Sequence, residues 1–282
     1  MAFVTWTKDL TLGIDFVDAD HRVLVELLNQ VDACIAAREE SATLGSALNA
    51  LLEYARHHFR REELLLELCA FPEIDRHRAE HERLTSELAD VNRRFAESPD
   101  AVEADDARAF LHRWFVDHLR NHDAAFRDAC RDRADAAALA AAVRFGTLEG
   151  PPPRPDWSGL KVLVIDDNPH FRELAATILK TAGVGEVTGV ESASAGLAHW
   201  KSRGADVVLC DWLMDRTDGI QLATQAGIEA ARAIVLVSGF GDEAFRKRAV
   251  AVGIRHFLEK PITAKALLET VARVAVDNKR KN

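Results

Sequence analysis

The chain is predicted to fold as two domains: an all-α antiparallel four-helix bundle, then an α/β domain with a doubly wound, five-stranded parallel sheet. Three observations predict this. Apolar residues recur at i, i+3, i+4 and i+7 in four long segments before about residue 130. Four of the eight prolines then crowd into Gly146-Thr147-Leu148-Glu149-Gly150-Pro151-Pro152-Pro153-Arg154-Pro155, a stretch expected to be an extended, semi-rigid spacer. Beyond it, short β-branched runs alternate with helical stretches. A length of 282 residues, 48% of them hydrophobic and 29% charged, provides for two cores at roughly 100–200 residues per domain. The expected boundaries are 1–146 for the bundle, 147–159 for the spacer and 160–282 for the α/β domain.

The four helices are predicted near 18–37, 41–69, 73–96 and 103–130. Breaks between them fall at Arg38-Glu39-Glu40-Ser41, Phe71-Pro72-Glu73 and Ser98-Pro99-Asp100. Short connections between long amphipathic helices imply antiparallel neighbours. After the spacer, strands are predicted at 162–165, 186–190, 207–209, 234–237 and 255–258. The first, third and fourth are almost continuously apolar, as strands covered on both faces are.

Charge is unevenly spread. Residues 1–150 hold 18 Lys+Arg against 29 Asp+Glu and eight of the eleven histidines, whereas residues 151–282 hold 18 against 16. An acidic, His-rich half argues against nucleic-acid binding and favours a metal site. The scattered cysteines, Cys34, Cys69, Cys130 and Cys210, suit buried thiols in a reducing cytoplasm. No apolar run reaches the roughly 18 residues of a membrane span, and Met1 to Asp9 does not have the form of a signal peptide.

The histidines of the first half are ordered. His21 opens the first helix, His58 and Glu62 lie on the second, His77 and His81 on the third, His118 and Asp123 on the fourth. The pairs His58/Glu62 and His77/His81 are i,i+4, about 40° apart around a helix, so each projects from one face. A single histidine on an apolar face is usually a hydrogen-bonded core residue. Five histidines and two carboxylates on four consecutive helices are different, because an apolar core would otherwise bear several kcal/mol of desolvation for each unpaired charge.

Residues 3–130 resemble the bacteriohemerythrin family. The resemblance is carried by Trp6, Gly13-Ile14-Asp15, Asp18-Ala19-Asp20-His21, His58-Phe59-Arg60-Arg61-Glu62-Glu63, Phe71-Pro72, His77-Arg78-Ala79-Glu80-His81 and Trp114-Phe115-Val116-Asp117-His118 through Asp123. It implies a hemerythrin-like bundle with two non-haem irons that binds O2. One iron takes His77, His81 and His118 and the other His21 and His58. Glu62, Asp123 and an oxo or hydroxo group bridge them, which leaves one position on the second iron for O2. Imidazole suits iron, and a His-rich site favours reversible binding over the oxidations typical of carboxylate-rich di-iron bundles.

Spacing and resemblance disagree at one ligand. Asp123 is i+5 from His118, about 140° away on a regular helix, and His122 is the i,i+4 neighbour; the family pattern nevertheless selects Asp123, which a π-bulge would permit. His57 and His112 have no family counterpart and are expected to be partly solvated. Phe115, one turn before His118, stands where the family usually has a leucine lining the O2 pocket. The run from His77 to His81 also fits the HxxEH of inverted zinc proteases. That match is short, and Glu80 is expected to face away from the histidine pair.

In the second half, the first strand ends in Asp166-Asp167, the third in Asp211, the fourth in Ser238 and the fifth in Lys260-Pro261. Ligands of open parallel sheets bind beyond the carboxyl ends of the strands. Three carboxylates gathered there need a cation, and oxygen ligands suit Mg²⁺. Residues 160–278 resemble the flavodoxin-like receiver domain of two-component response regulators. That resemblance implies phosphorylation of Asp211, Mg²⁺ held by Asp167, Asp211 and the carbonyl of Leu213 with Asp166 assisting through water, phosphoryl contacts from Ser238 and Lys260, and an aromatic switch at Phe257. Asp218-Gly219 fits the family's turn, and Asp215 replaces its usual proline. A haloacid-dehalogenase-type hydrolase would need DxDx[TV] where this chain has Asp166-Asp167-Asn168-Pro169. A cis Lys260-Pro261 bond is expected, with the Lys260 amine near Asp211.

Only Asp277-Asn278-Lys279-Arg280-Lys281-Asn282 follows the receiver-like segment, so output is expected through contact with another protein, the alternative being a receiver that acts as a phosphate sink. The sequence therefore predicts a cytoplasmic signalling protein without conventional enzyme activity, linking a di-iron O2 centre to a receiver. The receiver would take its phosphoryl group from a histidine kinase or phosphotransfer protein, hydrolyse it itself, and be able to pair with a second copy. An oxygen carrier or iron store whose location or assembly the receiver controls is the alternative; a bundle serving only as a structural partner domain is a third.

Overall fold

In the computed structural model, which describes residues 2–98, 104–145, 156–214, 217–239 and 243–279, the amphipathic segments of the first half form α1 (Asp15–Ala37), α2 (Ser41–Leu68), α3 (Ile74–Glu97) and α4 (Ala104–His118). The fourth segment is interrupted. A π-helical turn, Leu119–Asp123, separates α4 from α5 (Ala124–Cys130). A short helix absent from the prediction, α6 (Ala134–Ala141), then packs on the end of α2.

Local chemistry sets the helix ends. Asp18 accepts hydrogen bonds from the N–H groups of Leu12 and Gly13 at 2.8 and 3.0 Å, fastening the chain into α1. Arg38 closes α1 in the left-handed region at φ 52, a C-terminal conformation usually left to glycine or asparagine. The bundle buries its apolar seams, with Leu28, Leu51, Leu88 and Leu111 almost fully enclosed. Each such side chain contributes about 1.5–3 kcal/mol of transfer free energy. Leu65, Leu66, Phe71, Phe126 and Cys130 form one end of the core, against which Ala136 and Ala140 of α6 pack.

The second half contains β1 (Lys161–Ile165), α7 (Pro169–Thr181), β2 (Glu186–Val190), α8 (Ala193–Arg203), β3 (Val207–Asp211), β4 (Leu213–Met214), β5 (Thr217–Asp218), α9 (Gly219–Ala226), β6 (Ile234–Ser238), α10 (Glu243–Ala251), β7 (His256–Glu259) and α11 (Ala264–Lys279). The main sheet is all parallel in the order β2-β1-β3-β6-β7. Its central strands are apolar throughout because helices cover both faces. The small antiparallel pair β4–β5 was not predicted; two residues a side are too few to show a period. Asn168 caps α7, its side chain accepting from the N–H groups of His170 and Phe171, with Pro169 at the first helical position, where a missing N–H costs nothing.

The chain divides into two units, Met1–Glu149 and Gly150–Asn282. The predicted spacer lies outside the described residues up to 155, as do Pro99-Asp100 and Asp215. Its far end is packed: Trp157 is buried and its carbonyl accepts from the N–H of Gly185 at 2.9 Å, so 156–159 belong with the second unit. Among the described residues no helix is long and apolar enough to cross a membrane.

Candidate functional site

The four helices bring all seven predicted donors into one buried cluster, none more than 4% exposed. Ligand atoms of Glu62, His77, His81, His118 and Asp123 lie within 4.8 Å of one another, and so do those of His21, His58, Glu62 and Asp123. The two carboxylates are common to both groups and divide their oxygens between them. Glu62 turns Oε1 to His77 and to His81 (3.4 Å) and Oε2 to His58 (3.2 Å). Asp123 turns Oδ1 to His118 (3.0 Å) and Oδ2 to His21 (3.3 Å).

Asp123 reaches the cluster because of the π turn. The extra residue in that turn carries position 123 onto the face of His118. His122 is instead turned outward, 3.7 Å from Glu80 and stacked on His118. Glu80 pairs with Arg83 at 2.6 Å, away from the cluster, as expected.

As protein groups alone these side chains are poorly satisfied. Glu62 Oε2, both Asp123 oxygens, both ring nitrogens of His118 and Nε2 of His81 are buried with no hydrogen-bond partner. Burial would raise the carboxyl of Glu62, but the rings of His58, His77 and His81 turned toward it outweigh burial and hold it well below the usual range. Burial and Glu62 likewise push Asp123 up, and His118 and His21 hold it down. Burial disfavours charge on His58, yet the carboxylates of Asp20 and Glu62 facing its two ring nitrogens lift it to about 10. Converging ring nitrogens and ionised carboxylates that leave so many buried polar atoms unpartnered are what bound cations satisfy, and this mixture of imidazole and carboxylate suits non-haem iron.

Groups behind the donors orient them. Glu63 meets His81 Nδ1 at 2.8 Å, Asp20 lies 3.6 Å from His58 Nδ1, and Phe59 stacks on His81 with ring centroids 4.0 Å apart. Glu63 and Asp20 sit inside the quoted motifs, beside Glu62 and His21; that adjacency was the available signal for a role the sequence reading did not give them. Phe115 is buried and presents its ring edge-on to His21 at 6.2 Å. His112 is exposed against Phe3. His57 departs from expectation: it is buried against Tyr54 and Phe145, and burial drives it down to about 4. A small surface pocket lined by Phe71, Glu73, Arg76, His77, His122 and Ala125 reaches the cluster at His77.

In the second unit the strand ends converge as predicted. Lys260 Nζ donates to Asp166 Oδ2 at 2.8 Å and to Asp211 Oδ1 at 2.9 Å, and lies over the Phe171 ring. Lys260-Pro261 is cis. The Lys260 N–H also donates to the Ser238 carbonyl at 2.8 Å, which ties the ends of β6 and β7 together. Asp166 is buried and accepts from the N–H of Asn168, whereas Asp167 is exposed. Asp166, expected to assist Mg²⁺ through water, also bonds Lys260 directly. Burial, with help from Asp211, pushes Asp166 up to about 6 although Lys260 pulls it down. The Leu213 backbone lies in β4, next to Asp211. Gly219, at the start of α9, leaves no room for a Cβ, which would approach Cys210, the Asp211 carbonyl and Leu236. Phe257 is half-buried, with the Arg246 guanidinium over its ring.

Comparison with known proteins agrees with both halves. Residues 12–130 match the hemerythrin HHE cation binding domain and residues 162–272 the response regulator receiver domain. The bacteriohemerythrin of Stenotrophomonas maltophilia is 32% identical over 128 residues, 45% of this chain and 82% of that protein. The C4-dicarboxylate transport transcriptional regulatory protein DctD of Pseudomonas aeruginosa is 34% identical over 114 residues, 40% of this chain and 24% of that protein. Among solved structures, the Vibrio cholerae chemotaxis protein CheY4 is 25% identical at a TM-score of 0.39, over 41% of this chain and 98% of that one. Through its first unit this chain belongs to the bacteriohemerythrin family, and its second unit is a response regulator receiver domain.

Proposed function

We propose that this is an oxygen- or redox-responsive two-component protein, in which a di-iron centre in the bundle governs the phosphorylated lifetime of the receiver. One observation carries the reading: seven buried donors divide into a three-histidine and a two-histidine group, each carboxylate turning one oxygen to each group, on the same chain as a receiver strand edge where Lys260 meets Asp166 and Asp211. In this reading His77, His81 and His118 hold one iron and His21 and His58 the other, with Glu62 and Asp123 bridging. When bound, the irons supply the electrons for reversible O2 binding. The protein's part is to exclude water from the pocket, with Phe115 beside His21, and to hold the ring tautomers through Glu63 and Asp20.

In the receiver, Asp211 accepts the phosphoryl group from a histidine kinase or phosphotransfer protein. Asp167, Asp211 and the Leu213 carbonyl hold Mg²⁺, with Asp166 close by. Lys260 and Ser238 meet the phosphoryl oxygens, and Phe257 reports the change to an output protein in the cytoplasm, or to a second copy of the receiver. The excess of three carboxylates over one lysine supports the cation.

The test is the phosphoaspartate lifetime of the full chain held reduced under argon, exposed to O2, and chemically oxidised. The expected result is a lifetime that differs among the three. Equal lifetimes overturn the sensing role and leave the oxygen carrier or iron store.

A further inference from the structure

We propose that Arg61 ties the metal centre to helix α6, so that docking of residues 134–145 and occupation of the cluster at His58 are thermodynamically linked. This deepens the sensing function proposed above and rests on its di-iron reading.

His58 faces two ways. Its Nε2 lies among the donors, 3.2 Å from both Glu62 Oε2 and His21 Nε2. Its Nδ1 faces Asp20 Oδ2 at 3.6 Å, an ion-pair rather than a hydrogen-bond distance. Asp20 is buried; it accepts from the Tyr54 hydroxyl at 2.9 Å and from one Arg61 nitrogen at 2.6 and 2.8 Å. The same guanidinium continues outward, its Nε 3.3 Å from the Ala140 carbonyl and its other nitrogen 3.3 Å from that of Ala141. Those carbonyls end α6, where the helix dipole favours a cation. A second contact joins the same segment to the same network, because the Phe145 ring packs against Tyr54 at 5.1 Å and His57 at 5.4 Å.

An unbroken path therefore runs from a donor in the cluster, through one carboxylate and one guanidinium, to the last helix of the first unit. A cation on Nε2 makes the His58 ring more positive and strengthens its ion-pair attraction for Asp20, and a carboxylate so engaged shares its charge differently with Arg61. The pair is buried, so solvent and salt screen the effect little. If structure alone explained Arg61, one salt bridge to Asp20 would suffice; the second arm, on α6, gives the residue its coupling role. Linkage is reciprocal, so undocking α6 weakens metal binding by the factor by which metal stabilises docking.

The experiment follows amide hydrogen exchange in the full chain, loaded anaerobically with iron and then stripped with a chelator. Amides 137–143 report α6, and amides of α2 report the cluster itself. In the wild type, iron is expected to slow both sets, α6 by about fivefold or more, the lower end of typical coupling. Arg61→Lys retains a charge beside Asp20 but has no second arm; α2 should still respond to iron while α6 loses its response. Arg61→Met should behave alike, and the double variant D20N/R61M, which leaves no buried charge unpaired, replaces it where the single variant fails to fold. An α6 response of wild-type size in Arg61→Lys or the double variant overturns the linkage, as does a wild type in which α2 responds and α6 does not. A chain that takes up no iron refutes the metal reading, and the linkage falls with it.

Discussion

Replacing Asp166 with asparagine should stabilise the receiver at neutral pH, even though Asp166 forms a 2.8 Å ion pair with Lys260. Burial is the largest influence on this carboxyl and Asp211 adds to it. Lys260 and the Asn168 N–H oppose both, and the balance lifts it from 3.8 to about 6. That displacement corresponds to about 3 kcal/mol, at about 1.36 kcal/mol for each pH unit. The sign follows from linkage. The folded receiver holds this proton more tightly than the unfolded chain does. The contribution of Asp166 to stability is therefore greatest below about pH 4, declines as pH rises through about 6, and at neutral pH is lower by about 3 kcal/mol. Asparagine carries no charge at any pH and keeps one acceptor oxygen, enough for the Asn168 N–H or Lys260 but not for both, which use different oxygens of Asp166. The difference between Asp166→Asn and wild type should move in the variant's favour by about 3 kcal/mol between pH 4 and pH 7.5, roughly a hundredfold in the opening equilibrium. Amide exchange at Val164 and Leu209, in the central strands, reads this without interference from the bundle, once corrected for intrinsic exchange rates. Adding Mg²⁺ should stabilise the wild type more than the variant. A difference that does not change with pH, or a variant less stable near pH 7.5, would show that the ion pair outweighs burial and refute the reasoning.

Two predictions concern the bundle. Asp123→Ala should retain fewer irons per chain than His122→Ala, because Asp123 faces both histidine groups and His122 faces solvent and Glu80; equal iron content after anaerobic reconstitution would contradict the assignment. Phe115→Leu should cost about 1 kcal/mol for the lost packing volume and speed the entry of azide into the iron-loaded chain, because the ring that meets His21 edge-on is removed. An unchanged stopped-flow association rate would place the entry path elsewhere, the pocket at His77 being the alternative.

Legibility from sequence followed periodicity. The pairs His58/Glu62 and His77/His81 were readable because regular helix puts i and i+4 on one face. Asp123 was not readable that way, since the π turn breaks the period that would have revealed it, and only the family pattern selected it. His57 was misjudged for a related reason. It lies one residue from the donor face, where an isolated bundle would expose it, but Tyr54 and Phe145 cover it. The nearby helix α6, nearly all alanine, has no apolar stripe to predict it by. In the receiver the strand-end residues were legible because a parallel sheet sends every strand's carboxyl end to one edge. The direct Lys260–Asp166 bond was not, because sequence does not tell how deeply each carboxylate sits.

The five-residue turn at 119–123 also constrains everything written after it. Downstream of that turn the helix runs one residue out of phase with α4. Phe126 and Cys130, both fully buried, are spaced for the shifted phase rather than for a continuous α-helix. Deleting one residue from the turn would leave Asp123, Phe126 and Cys130 four, seven and eleven residues after His118, on one face of a regular helix, whereas forcing the turn into regular α-helix at its present length would rotate α5 by about 100° and carry Phe126 away from Phe71 and Cys130 out of the core. The turn therefore absorbs one residue more than a regular helix could hold while keeping the phase on which both the carboxylate at its end and the core beyond it depend.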